Sequence, residues 1–189
     1  MNTPVHLIIG AAAFGKPGAR IVTWAALAGS LLPDMSLFLM AGVSLFLLDI
    51  PAREVFGELY FSDAWQQVFA IDNSIVLWGI ACGLAIWRKI PWLIALCSAV
   101  LLHLVADFLL HNSDARMQLW PLTDWKFFSP VSYWESARGG NIVGVVELIA
   151  TAVLGVYLLR VLRDLWLRIA IGTLVIVQFA TSHIWHFVF

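Results

Sequence analysis

His103, Asp107 and His111 follow one another at intervals of four residues. On a helix that spacing puts all three side chains on one face. Imidazole and carboxylate suit zinc, manganese or iron, and two such groups one helical turn apart can hold an ion from a single face. The same spacing also fits a buried hydrogen-bonded His–Asp pair or a proton relay. The catalytic Glu of the HExxH helix is missing, so the pattern points to a metal without naming a reaction. His6 and Asp34 are two further candidate ligands. The alternatives are an interfacial histidine for His6 and, for Asp34, a carboxylate capping a helix broken beside Pro33. Glu147 is a candidate for a direct catalytic or ligand role, for support of a ligand histidine, or for a pair with Arg138. Asp114 and Arg116 could close over a substrate phosphate or be solvated loop charges. His183 and His186, three apart near the end of the sequence, fit an interface as well as a site.

These groups belong to a chain for which water is not the main solvent. Of its 189 residues 61% are hydrophobic and 12% charged, against roughly a quarter charged in soluble domains. The formal charge of -1 supplies no clustered basic face, which argues against a nucleic-acid partner. Cys82 and Cys97 lie in apolar runs and read as small buried side chains. Lys16 and Arg20 come after the first apolar run, so residues 1 to 15 read as part of the mature fold and not as a signal peptide.

A bilayer core takes about 20 apolar residues at 1.5 Å rise. That predicts five spans: Ile21 to Leu48, Ser74 to Trp87 with an upstream extension from Phe69, Trp92 to Leu110, Ile142 to Leu159, and Ile169 to Phe187. Pro4 to Phe14 is too short to cross and reads as a half-span, joined to the next helix by the turn at 15–18. Gly29 and Pro33 predict a kink or break just before Asp34. The expected fold is thus an all-α, polytopic transmembrane bundle of about five spans plus an N-terminal half-span. It forms a single integral membrane domain over 1–189, and nothing in the pattern specifies an oligomeric state.

Lys16, Arg20, Arg88, Lys89, Arg160, Arg163 and Arg168 fall on one side, and Arg53, Arg116, Lys126 and Arg138 on the other. Seven basic residues against four assign the first side to the cytoplasm. Residues 49–72 and the aromatic loop 111–141 then lie outside. In the first, an interfacial helix near Ala52 to Phe69 would turn Val55, Leu59, Trp65 and Phe69 towards lipid. The second carries six aromatic residues from Trp120 to Trp134, too many for a disordered linker of that length. Counting about 1.5 Å per residue from the inner basic anchors puts His6 about 15 Å up, His103 about 18 Å, Glu147 about 20 Å, Asp34 about 21 Å and Asp107 about 24 Å. The costly polar groups therefore collect in the outer half of the membrane.

No GxSxG, GxxxxGK[ST], HExxH or GxGxxG motif is present. Thr3-Pro4-Val5-His6 with Gly10, then Leu32-Pro33-Asp34, then His103-x3-Asp107 followed by Trp120-Pro121, resemble the predicted inner-membrane metal-dependent hydrolases of bacteria. Asp114-Ala115-Arg116, Trp120-Pro121-Leu122 and Ser129-Pro130-Val131-Ser132-Tyr133-Trp134 are similar to a proteobacterial subgroup, and the resemblance spans most of the chain. It departs from the pattern at Asn73, where many relatives carry histidine, and at Gln118, where the subgroup favours one, which bears on metal number and activity. More loosely, His and Asp on helices resemble the arrangement of the zinc phospholipase C and nuclease fold.

The resemblance implies a multi-pass protein of the bacterial inner membrane. Together with the polar layer, it leads to an outward-opening site in which His6, Asp34, His103 and Asp107, with His111, hold one or two divalent ions. Zinc is the first choice, with manganese or iron as alternatives. The metal would activate water and polarise a phosphoryl or acyl oxygen, with Arg116 as an anion contact and Asp34 and Glu147 in catalytic roles. A site facing both loop and lipid suits a lipid-like phosphodiester or ester. A transporter of ions or protons and a non-catalytic membrane scaffold or stress factor are the competing classes.

Overall fold

The computed structural model describes residues 1–181. The regular elements there are all helical: α1 (Thr3–Phe14), α2 (Arg20–Phe46), α3 (Ala52–Gly57), α4 (Asp63–Asp72), α5 (Ile75–Trp87), α6 (Pro91–Leu110), α7 (Gly140–Val161) and α8 (Leu165–Thr181). Short 3-10 turns stand at Leu59–Phe61 and Ser136–Arg138. Four runs are long and apolar enough to cross a membrane: α2, Asp63–Trp87, α6 and α7. As described, α8 has 17 residues, and the rest of its expected span, with His183 and His186, lies outside the described residues.

The element boundaries follow from local chemistry. Pro4 and Pro91 sit in the first turns of α1 and α6, where the missing N–H has no helical partner to lose. Ser62 and Ser74 cap α4 and α5 by accepting from the Trp65 and Leu77 amides at 3.4 and 3.0 Å. The second span is therefore two helices meeting at Asn73 and Ser74, not one continuous rod. Pro33 does not break α2, which runs 27 residues through it. Asp34 thus stands inside a helix and caps nothing.

In a bilayer the lipid tails are as apolar as leucine, so close fit has to hold helices together. The sequence supplies it with small residues. A Cβ on Gly29 would collide with the Leu96 carbonyl, and one on Gly10 with the Ser30 hydroxyl. Ala26, Ala95 and Ala99 are buried beside these contacts. α1, α2 and α6 consequently pack backbone to backbone. A second core joins α1 and α2 to α7 and α8 through Ile8, Leu27, Leu158, Leu167 and Ile171. Outside the bundle, Leu39 and Val153 are each 62% exposed, the apolar surface that a bilayer covers.

The segment 52–69 departs from expectation. It is α3, a turn and the start of α4, and Val55, Trp65 and Phe69 are buried with Tyr60 against Ala41, with Leu59 packed beside them. They form a core under this segment and do not face outward. The long loop is also folded down onto the helices. The last carbonyls of a helix lack intrahelical donors, and here Ser129 Oγ donates to Leu109 O at 2.6 Å, Tyr133 N to Leu110 O at 2.9 Å and Ser129 N to His111 O at 3.0 Å. Ser74 Oγ donates to the Trp120 carbonyl and Ile75 N to Gln118 O at 2.9 Å. The loop thereby ties the end of α6 to the start of α5.

Candidate metal centre

α1 and α6 run antiparallel in direct contact, both packed on α2, and this brings His6, Asp34, His103, Asp107 and His111 into one cluster. Asp107 is its centre and is buried. One oxygen, Oδ1, lies 2.9 Å from His6 Nε2, 3.1 Å from His111 Nε2 and 3.2 Å from the Met1 amino group. The other, Oδ2, lies 2.9 Å from His103 Nε2. Three imidazole edges from two helices thus converge on a single carboxylate.

The tautomer of His103 is set from behind, because its Nδ1 lies 2.7 Å from the Ser30 carbonyl, which can only accept. Nδ1 therefore carries the proton, and a neutral ring presents the Nε2 lone pair to the carboxylate. Two acceptors 2.9 Å apart require a second ring proton or a metal ion between them. His6 and His103 stack with centroids 3.6 Å apart and planes 6° from parallel. Protonating both rings would place two positive charges face to face in a buried site. A shared cation satisfies all three groups at once. The ligand atoms of His6, His103 and Asp107 lie within 4.8 Å of one another, the compactness that one ion requires. The donor set fits a divalent metal.

Asp34 stands at the rim. Its Oδ2 accepts from Thr3 Oγ1 at 2.6 Å, and its Oδ1 lies 3.7 Å from His103 Nε2. His111 spans two carboxylates, with Nδ1 2.9 Å from Asp114 Oδ2. That approach lacks the angle of a good hydrogen bond, so it is an electrostatic contact. Burial alone would raise the Asp114 carboxyl, but the His111 ring, a backbone N–H and the Arg116 charge together hold it below the ordinary range.

The other two expected catalytic residues have different surroundings. Arg116 is buried, with its guanidinium 4.1 Å from the Phe69 ring centre and 4.8 Å from that of Tyr60. Its Nη1 has no hydrogen-bond partner among the described residues. Burial and the Arg116 charge lower the nearby Lys126 ammonium, which donates to Gln66 Oε1 at 2.9 Å. Glu147 does not pair with Arg138, which bonds Glu135 at 2.9 Å. Instead it accepts from the Asn2 amide N–H at 3.1 Å, the Asn2 side chain at 2.6 Å and Gln178 Nε2 at 3.3 Å.

Asn73 and Gln118 make backbone contacts. Asn73 Nδ2 donates to the Pro33 and Phe69 carbonyls at 3.2 and 3.0 Å, and Gln118 Nε2 to the Leu104 carbonyl at 2.9 Å. Thr3 and Ser30 were missed by sequence reasoning. Thr3 lies one turn from His6, and Ser30 one turn from Asp34, so helical spacing from a candidate ligand was the available signal for both. The Ser30 contact is made by its backbone oxygen, which no residue type announces. No family model, curated protein or solved structure matches the chain.

Proposed function

We propose that the protein is a membrane-embedded, divalent-metal-dependent hydrolase acting on a phosphodiester or ester of a lipid-like substrate at the outer face of the bacterial inner membrane. The observation that carries the reading is the convergence of His6, His103 and His111 on Asp107, with the His103 lone pair aimed inward by the Ser30 carbonyl. The motif resemblance to the predicted metal-dependent hydrolases, carried in part by the same residues, agrees with it. His6, His103 and Asp107 would hold the ion, with His111 and Asp34 beside them; zinc suits this set best, and manganese or iron also suit it. When bound, the ion supplies Lewis-acid polarisation and activation of water.

The remaining roles belong to the protein's own groups. Thr3 holds one oxygen of Asp34 and leaves the other facing His103, so Asp34 is the carboxylate placed to accept a proton at the rim. Arg116 and Lys126 form a positive region within the loop, and Arg116 Nη1, without a hydrogen-bond partner among the described residues, suits a substrate anion. Glu147 acts as a positioning residue: by holding Asn2 it anchors the start of α1, and with it His6.

The competing reading is transport of ions or protons; against it we set the close contacts of Gly10 and Gly29, which leave little room between α1, α2 and α6 on the side of the cluster towards the basic turns. The deciding experiment is metal analysis of the detergent-purified protein beside the double variant His103→Ala, Asp107→Ala. It is paired with an assay for phosphate-ester release from phosphatidylglycerol vesicles with added zinc or manganese. Stoichiometric metal and activity in the wild type, both lost in the variant, support the hydrolase. Equal metal content in the two proteins sinks it.

A further inference from the structure

Between α1 and the C-terminal half of α6 lies an open cleft of about 300 Å³, at the lower end of the roughly 300–1,000 Å³ of ligand pockets. Ile9, Leu102, Ala106 and Leu109 line it together with His6 and His103. The lining is apolar although two of the buried imidazoles end in it. From Leu102 to Leu109 it follows α6 for about 10 Å at 1.5 Å per residue. Leu109 and the neighbouring Val105 are 56% and 48% exposed, so the mouth lies on the surface that hydrocarbon covers.

We infer that this seam is a lateral port, in which one acyl chain of a diacyl phospholipid lies alongside the His6–His103 pair. The inference rests on the proposed hydrolase for its catalytic consequence, and on the cleft alone for its existence. The physical case is one of exclusion. Water in the cleft would find no polar partners along its walls. An inserted polypeptide segment would bring backbone groups with nothing to bond. An empty cleft would forfeit dispersion contacts on both walls. An acyl chain supplies those contacts at no polar cost and is the material already at the mouth. A port that is apolar along its length and borders the buried His6–His103 pair selects a hydrocarbon chain. Ala106 sets the width, because it is the smallest side chain among the walls.

The test uses the full chain in vesicles of phosphatidylethanolamine and phosphatidylglycerol, with a trace of phosphatidylglycerol carrying a diazirine in one acyl chain. After irradiation, labelled residues are mapped by mass spectrometry and metal content is measured on the same preparation. Label should concentrate at Ile9, Leu102 and Ala106 relative to Leu39 and Val153, and should fall when unlabelled phosphatidylglycerol is added in excess. Ala106→Trp and, separately, Leu102→Trp should each remove the seam label while Leu39 and Val153 remain labelled. The second variant decides if the first does not fold. Even labelling of the seam and the outer surface, or seam label that survives both substitutions, overturns the port. Concentrated seam label without bound metal leaves the port standing and removes the hydrolase. Bound metal with even labelling does the reverse.

Discussion

Two carboxylates are buried in this bundle a short distance apart, and they are satisfied in opposite ways. Glu147 on α7 is surrounded by amides: the Asn2 backbone and side chain and Gln178 on α8. Each of these is a permanent donor, so the carboxylate is stabilised by the fold alone. Asp107 on α6 faces the Met1 amino group and three imidazoles, and imidazoles donate, accept or ligate according to where the proton sits. At His103 the Ser30 carbonyl has already claimed the proton. A buried carboxylate surrounded by amides is a structural joint, whereas one surrounded by imidazoles can share a metal ion with them. Both carry the cost of charge in the membrane, and the chemistry of the partners separates a joint from a site.

The largest expected effect breaks the comparison at its active side. Asp107→Ala or His103→Ala should abolish metal binding. An ion present at a hundred times its dissociation constant stabilises the folded form by about 2.7 kcal/mol. Chelation should therefore lower the thermal midpoint of the wild type and leave both variants unmoved, with His186→Ala behaving like wild type. Equal response of wild type and variants to chelator would return Asp107 to the class of Glu147.

The next effect sharpens the other side. Glu147→Ala should cost about 1–3 kcal/mol for the buried amides left without an acceptor, measured by thermal or denaturant unfolding. Metal stoichiometry should be retained. Loss of metal in a protein that still folds would make Glu147 part of the centre.

A third prediction concerns the side on which the cluster opens. The excess of basic residues at the α1–α2, α5–α6 and α7–α8 turns predicts that Arg88 and Lys89 are cytoplasmic and Asp124 external. A cysteine placed at Asp124 should react with an impermeant reagent in intact cells. Labelling only after the inner side is exposed would invert the orientation and turn the site inward. The smallest expected signal is none: proteoliposomes should show no saturable zinc or proton flux. A flux abolished by Asp107→Ala would move transport ahead of hydrolysis.

Much of this was readable from residue types. Long apolar runs gave the helices their places, because backbone groups in lipid must bond within the segment. The four-residue spacing put His103, Asp107 and His111 on one face, and the depth count brought His6 and Asp34 to the same layer. The reading went astray where a pattern had two physical solutions. Val55, Trp65 and Phe69 suit a lipid-facing stripe as well as a core, and the folded-down loop and α2 made them a core. Pro33 can break a helix or be carried within one, and α2 carries it.

By itself, then, the sequence determined an all-helical membrane bundle with its costly polar groups in one layer, since hydropathy and helical period act locally and need no partner. Only the tertiary structure decided which of those groups are a site. The Ser30 carbonyl orients His103, Asn2 and Gln178 neutralise the demand of Glu147, and Gly10 and Gly29 let the three helices approach closely enough for His6 and His103 to stack. Hydrogen bonds to backbone oxygens and the meeting of helices distant in sequence have no signature in residue identity, because they depend on which surfaces the packing brings together.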